Sequence, residues 1–298
     1  MKNYNLKYKI VVTVLTTIAY LPLNILYRIS DVLTFFIHKI IKYRVPIVRL
    51  NLRNSFPEKS IKELKEIENK FYRHLSDVII ESIKLLKITD KSLAQRVKVI
   101  NPELPQDVLN TSSSVILFLG HYANWEWVPF LSNYFDNEIE MATLYKPLHS
   151  KLMNEIIKKI RSRHGIELIE SKNAYRRLLE KKKSQRKFMV GFIGDQRPLS
   201  PKQKYNLIFL NQKTNIFIGG ETIGNKIGSK FLYLDIESNK RGHYNLIFKE
   251  MVIKNEGSDN SPYPYTKLFY NYLESSIQRN PNLWLWSHNR WNIKKNYN

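Results

Sequence analysis

The sequence predicts an α/β fold, a mixed central sheet flanked by helices, preceded by N-terminal helices that associate with a membrane. Two short continuous apolar runs, residues 115–119 and 188–194, each end in polar residues, as buried strands do. Helix-period segments lie between these and further strand-like runs, which argues for layers of helix on a sheet. The chain also begins with an uncharged apolar stretch. At 298 residues it can bury a large core, and no internal repeat, low-complexity tract or Gly/Ser linker divides it. We divide it into an N-terminal membrane anchor over residues 1–44 and a single large domain over 45–298.

Residues 10–27 carry no charge over 18 positions, about the shortest length that spans a bilayer core. Lys2, Lys7 and Lys9 precede them and Arg28 follows. No small-x-small cleavage site comes before more apolar sequence, so a secretory signal is disfavoured. Pro22 and Asn24 interrupt a straight span, and residues 29–41 add a second apolar stretch ending in His38, Lys39, Lys42 and Arg44. The pattern fits a membrane-associated helical hairpin, or a span followed by an interfacial helix. Ser60 and Glu63 form a capping box opening an amphipathic helix with apolar positions at Ile61, Leu64, Ile67, Phe71, Leu75, Val78 and Ile79. Residues 151–163 read as a basic helix, 231–236 and 244–251 as later strands, and 263–279 as a helix.

The chain has no cysteine, which excludes disulfides and thiol nucleophiles, and its few scattered histidines do not suggest a metal site; no cofactor is expected. Forty-eight Lys and Arg against 26 Asp and Glu leave a net charge of +22. Such a field favours an anionic partner: nucleic acid, an anionic membrane surface or an acidic protein. No recognised nucleic-acid motif is present, and the apolar N-terminus favours the membrane.

The segment Gly120-His121-Tyr122-Ala123-Asn124-Trp125-Glu126-Trp127 follows the first apolar run directly. Residues five apart on a helix sit roughly 140° around its axis, so His121 and Glu126 meet only if His121 precedes the first turn and Glu126 lies on it. A strand, a tight turn at Gly120 and a helix from about Asn124 would supply that geometry. A His and a Glu so placed can form a base and its orienting partner. Asp195 ends the second run, and ligand sites in α/β sheets lie beyond the carboxyl ends of strands.

These segments resemble those of the bacterial lipid A biosynthesis lauroyl/myristoyl acyltransferases, within the wider lysophospholipid acyltransferase superfamily. Asn51-Leu52-Arg53-Asn54-Ser55-Phe56-Pro57-Glu58 resembles the family's N-L-x-x-x-F-P-E, and residues 120–126 its G-H-x-G-N-W-E. Tyr145-Lys146-Pro147-Leu148 resembles Y-R-P-x, and Arg161 with Arg163 the following R-x-R. Asp195-Gln196 resembles its D-Q, and residues 283–291 its C-terminal W-x-H-x-R-[WF]. Ala123 stands where the family usually has Gly, and Lys146 where it has Arg, which loses a bidentate fork but keeps the charge. The glycerolipid branch usually carries H-x-x-x-x-D and a later E-G-T-R; this chain has neither, which argues against a lysophosphatidate acyltransferase.

The resemblance implies a glycerolipid-acyltransferase-like fold and acyl transfer from a thioester donor, acyl carrier protein or acyl-CoA, to a hydroxyl of a lipid A precursor or related glycolipid. It implies His121 as general base oriented by Glu126, and Lys146, Arg161 and Arg163 as contacts to the acceptor's phosphates. Asp195 would orient an arginine or line the site. The Trp284, Trp286, His288 and Arg290 cluster reads as structural. The expected location is the bacterial inner membrane, with the catalytic domain on the cytoplasmic face.

Overall fold

The computed structural model describes residues 2–135, 138–198, 205–253 and 261–291. The chain opens with helices α1 (Lys2–Tyr20) and α2 (Leu23–Phe35), the latter continued by a π-helical turn, Phe36–Ile40. Pro22, which cannot donate to a helix, stands at the break between them. Among the described residues no single helix is long and apolar enough to cross a membrane; residues 6–40 pass that test only as a pair bent by 119°. Leu6, Ile10, Val14, Val32, Phe35, Phe36, Ile40 and Ile41 nevertheless stay exposed.

Helix α3 (Val45–Ser55) follows, then α4 (Ile61–Lys84). The capping box read from the sequence is formed: Ser60 Oγ accepts from the Glu63 amide and the Ser60 amide donates to Glu63 Oε2 at 2.8 Å. Helix α4 packs against α1, α2 and α3 and also reaches Ala123 and Asn124, through His74 and Glu81. Next come α5 (Asp90–Ala94), β1 (Val97–Val99), α6 (Glu103–Thr111), β2 (Ser114–Leu119), a 3₁₀ helix (Trp125–Tyr134) and β3 (Ile139–Tyr145). Helix α7 (Lys151–Arg161), β4 (Glu167–Glu170), α8 (Ala174–Lys183) and β5 (Lys187–Ile193) follow. The short hairpin β6 (Asn206–Phe209) and β7 (Gln212–Asn215) leads to α9 (Gly219–Ile227), β8 (Lys230–Lys240), β9 (His243–Glu250) and α10 (Pro264–Arg279).

Seven strands form one mixed sheet in the order β1-β9-β8-β2-β5-β3-β4, with β6 and β7 apart. Strands β8, β2, β5, β3 and β4 run parallel; β9 and β1 run against them. All six residues of β2 are buried, which explains why that run lacks polar alternation: both faces are covered. Ile116 and Phe118 face α9 and α10, so closely that a Cβ on Gly224 would fall 2.5 Å from the Phe231 ring and 2.9 Å from Ile116 Cγ1. The alternate residues Leu117 and Leu119 point to the other face, toward the 3₁₀ helix.

Gly224→Ala should therefore overpack the α9–β2 contact and lower stability by about 1–3 kcal/mol. A lower thermal midpoint in calorimetry checks this; an unchanged midpoint would refute the close approach.

Candidate active site

Leu119 ends β2 and the chain must turn sharply over the sheet's carboxyl edge. At Gly120 a Cβ would lie 2.6 Å from Leu273 Cδ1 of α10, so a larger residue there requires the Leu273 side chain to shift. Ala123 adopts φ +50°, a left-handed conformation that glycine takes without cost and alanine takes at about 1 kcal/mol. The turn is held from two sides. The C-terminal segment runs beside it, with the Ala123 amide donating to Leu283 O at 3.0 Å and the Leu285 amide to His121 O at 3.1 Å. From α4, His74 Nε2 lies 3.1 Å from Ala123 O. Asn124 then caps the 3₁₀ helix, its Oδ1 accepting from the Glu126 amide at 3.1 Å.

Asp195 leaves β5, the parallel neighbour of β2, just beyond the pairing of Leu119 with Ile193. Its carboxylate takes His121 Nδ1 at 2.7 Å and the His121 amide at 2.9 Å. Trp284 Nε1 supplies a third donor at 2.8 Å. Burial alone would push the Asp195 carboxyl up; the His121 ring and these donors overcome it and hold it at about 2. An ionised carboxylate only accepts, so in the neutral imidazole the proton sits on Nδ1 and Nε2 keeps the lone pair. That lone pair faces the Gln196 amide nitrogen at 3.1 Å, and the Trp125 ring meets the imidazole edge-on at 5.2 Å.

Asp195, not Glu126, is thus the partner of His121 Nδ1, which corrects the expectation that Glu126 orients the ring. Glu126 is turned to α7, where Arg161 grips it with Nε at 2.8 Å and Nη2 at 2.5 Å; Trp125 Nε1 adds a bond at 3.1 Å. Burial raises the Glu126 carboxyl, but Arg161 above all, with the nearby His121, brings it below its ordinary value. Arg163 lies apart from this pair. Its guanidinium donates to Leu85 O and Ile88 O just beyond α4 and so secures that helix terminus.

Two cavities adjoin the pair Glu126–Arg161. A narrow one of about 40 Å³ runs under the 3₁₀ helix between Leu117, Leu119, Val128, Met141, Ile166 and Ile193, with Gly191 among its lining residues. The other, about 50 Å³, is lined by Lys146, Lys158, Arg161, Asn154 and Tyr145. Arg161 lines both. Lys146 is exposed at the rim of the second. Among the described residues no group of three or more His, Asp or Glu side chains is arranged to hold a metal ion.

The C-terminal cluster divides in two. Arg290 is buried, donating to Asn215 O at 2.5 Å and to the Tyr270 hydroxyl at 2.9 Å, which is a packing role. His288, by contrast, borders the site: its Nε2 accepts from the Arg197 amide at 3.2 Å, and burial holds it neutral, down at about 4. Trp284, a packing residue by its sequence alone, is in the fold a hydrogen-bond donor to the carboxylate on His121. It lies two residues before Trp286, the first residue of the W-x-H-x-R match, and nothing local in the sequence marks that role.

A histidine with a locked tautomer, an apolar slot and an adjoining basic cavity suit the deprotonation of a hydroxyl beside an apolar and an anionic group. A family model for bacterial lipid A biosynthesis acyltransferases matches residues 2–293. The chain belongs to that family. As a lipid A biosynthesis acyltransferase it is an enzyme that transfers acyl groups. No curated protein sequence matches it individually.

The depressed Asp195 carboxyl makes a stability prediction. Its folded value, about 2, lies below the ordinary 3.8, so its contribution is complete above pH 3.8 and is lost as pH falls toward 2. That contribution is about 2 kcal/mol, since each tenfold change in proton affinity corresponds to roughly 1.4 kcal/mol. Asp195→Asn should flatten the fall in stability over that window, measured by urea unfolding at stepped pH; an unaltered slope would count against the His121–Asp195 bond.

Proposed function

We propose that this acyltransferase moves a fatty acyl chain from an acyl thioester, carried by acyl carrier protein, to a hydroxyl of a lipid A precursor, with His121 as general base. The observation that carries the reading is the bond from His121 Nδ1 to a carboxylate that is itself fixed by three donors. It leaves Nε2 as the basic atom, aimed where a hydroxyl can replace the Gln196 amide. Nε2 takes the acceptor's proton as its oxygen attacks the thioester carbonyl. The tetrahedral intermediate then collapses, the carbon–sulfur bond breaks, and the imidazolium returns the proton to the leaving thiolate. Asp195 stabilises the imidazolium between these steps, as the third member of a triad does. No covalent enzyme intermediate is needed.

Glu126 is assigned a different part. By occupying Nε and Nη2 of Arg161 it fixes the guanidinium, whose remaining donors are then oriented for an anionic substrate group. Lys146 and Arg161 support a phosphate subsite in the basic cavity, which would set the sugar hydroxyl at Nε2. The apolar slot suits the acyl chain next to the reacting carbonyl, provided that it widens on binding. The exposed apolar residues of α1 and α2, together with the net charge of +22, support attachment to an anionic membrane, the bacterial inner membrane on its cytoplasmic side.

Purified protein in detergent, given acyl carrier protein thioester and lipid A precursor, should transfer the chain. His121→Ala should lower kcat about 10²- to 10⁴-fold. Full activity in this variant would sink the mechanism. Lys146→Ala should raise KM for the acceptor with kcat within about threefold, a pattern of lost ground-state binding. Cells lacking the protein should accumulate lipid A one acyl chain short; intact lipid A with another lipid lacking a chain would move the same chemistry to a different acceptor.

A further inference from the structure

Glu81 lies in the interior, fully buried on α4, and the chemistry above makes no use of it. Its two oxygens collect donors from three separate parts of the chain. Tyr27 of α2 donates to Oε1 at 2.6 Å, and Tyr244 of β9 donates to Oε2 at 2.8 Å. Asn124 of the active-site turn donates to the same Oε2 at 2.6 Å. The backbone carbonyl of Glu81 also accepts from Trp127 Nε1 at 3.1 Å. Burial pushes this carboxyl up to about 7, with Asp77 adding to the rise and the Tyr27, Tyr244 and Asn124 donors opposing it.

The contact with Asn124 distinguishes Glu81 from an ordinary buried acid. The Asn124 side chain has two ends: Nδ2 is held by Glu81, while Oδ1 caps the amide of Glu126. Fixing one end of a planar amide fixes the other. The direction in which the turn delivers His121 on one side and Glu126 on the other therefore depends on where Glu81 sits. Tyr27 ties that carboxylate to the N-terminal helices, with Gly242 packed so tightly behind it that a Cβ there would fall 1.8 Å from the Tyr27 hydroxyl oxygen. We propose that Glu81 is a positioning residue for acyl transfer, holding the 121–126 turn through Asn124 and keyed to the N-terminal hairpin through Tyr27. This rests on the acyl-transfer reading given above.

The test compares Glu81→Gln with Glu81→Met, which have similar volume. The amide oxygen of the first still accepts from Asn124, with Tyr27 turning its hydroxyl to accept from the new amide; the thioether of the second is at best a weak acceptor. Glu81→Gln should keep kcat within threefold of wild type. Glu81→Met should lower kcat more than tenfold with both KM values within twofold, at a temperature where circular dichroism shows it folded. A folded Glu81→Met with kcat within twofold, or an equal loss in both variants, overturns the proposal, since a volume-filling role would give the first result. Should Glu81→Met fail to fold, Asn124→Asp decides at pH 9, because it keeps the cap on Glu126 but sets two carboxylates together. It should lose more than tenfold in kcat, and Glu81→Gln combined with Asn124→Asp should recover at least fivefold; no recovery overturns the proposal. Near-ultraviolet circular dichroism follows the turn through Trp125 and Trp127 and should change and recover in the same order. That signal still decides the matter if the wild-type protein transfers no acyl chain, an outcome that would instead defeat the functional reading.

Discussion

The parallel pairing of β2 with β5 is the constraint on which the site depends. Leu119 and Ile193 are the last partners of that ladder, and beyond them the two strands release His121 and Asp195 side by side. Residues 74 positions apart in sequence reach a 2.7 Å contact with no dedicated linker, because adjacent strands are already within about 5 Å of each other. A slip of the ladder would carry Asp195 away from the ring, and complete burial of β2 on both faces opposes such a slip. Burial is also what makes the contact strong: in a dry environment a carboxylate must find donors, and Asp195 finds the imidazole, a backbone amide and the Trp284 indole.

Two acids near one histidine, Asp195 buried and Glu126 half-buried, could compete for it. Here only Asp195 takes the imidazole, because Glu126 is committed to the guanidinium of Arg161. Both are held in the ionised form, and their duties are separated by geometry: one at the end of β5, one on the 3₁₀ helix facing α7. The turn between them gains its rigidity from outside, from residues 283–285 on one side and α4 on the other. Asn51, in the segment resembling N-L-x-x-x-F-P-E, donates to Trp286 O at 2.9 Å and His288 O at 3.1 Å. The N-terminal part of the domain thereby fastens the very segment that carries Trp284.

Elements with strong local signals are readable in the sequence. The apolar runs form β2 and β5, the capping box opens α4, and residues 264–279 form α10. Strands β3 and β4 lack such signals, because they lie toward one edge of the sheet, are only partly buried and carry charged residues such as Glu140 and Glu167. His121 and Asp195 are both legible as strand-end residues, but their pairing is not. The strand order that joins them is a long-range property, and local spacing favours Glu126, five residues from His121. The same limit applies to Arg163: its motif neighbour Arg161 faces the site, while the next stretch of chain delivers Arg163 to the carbonyls of Leu85 and Ile88. Glu81 gives no local signal at all, since a glutamate on an amphipathic helix ordinarily faces solvent.

The chemistry assigned to His121 requires one particular nitrogen to carry the proton. Nitrogen-15 NMR of histidine-labelled protein at neutral pH, with His121 assigned by substitution, reads this directly. The predicted result is a proton on Nδ1 and a lone pair on Nε2, a state disturbed by Asp195→Asn and preserved in Glu126→Gln. A proton on Nε2, or a tautomer that responds to Glu126 and ignores Asp195, would contradict that assignment.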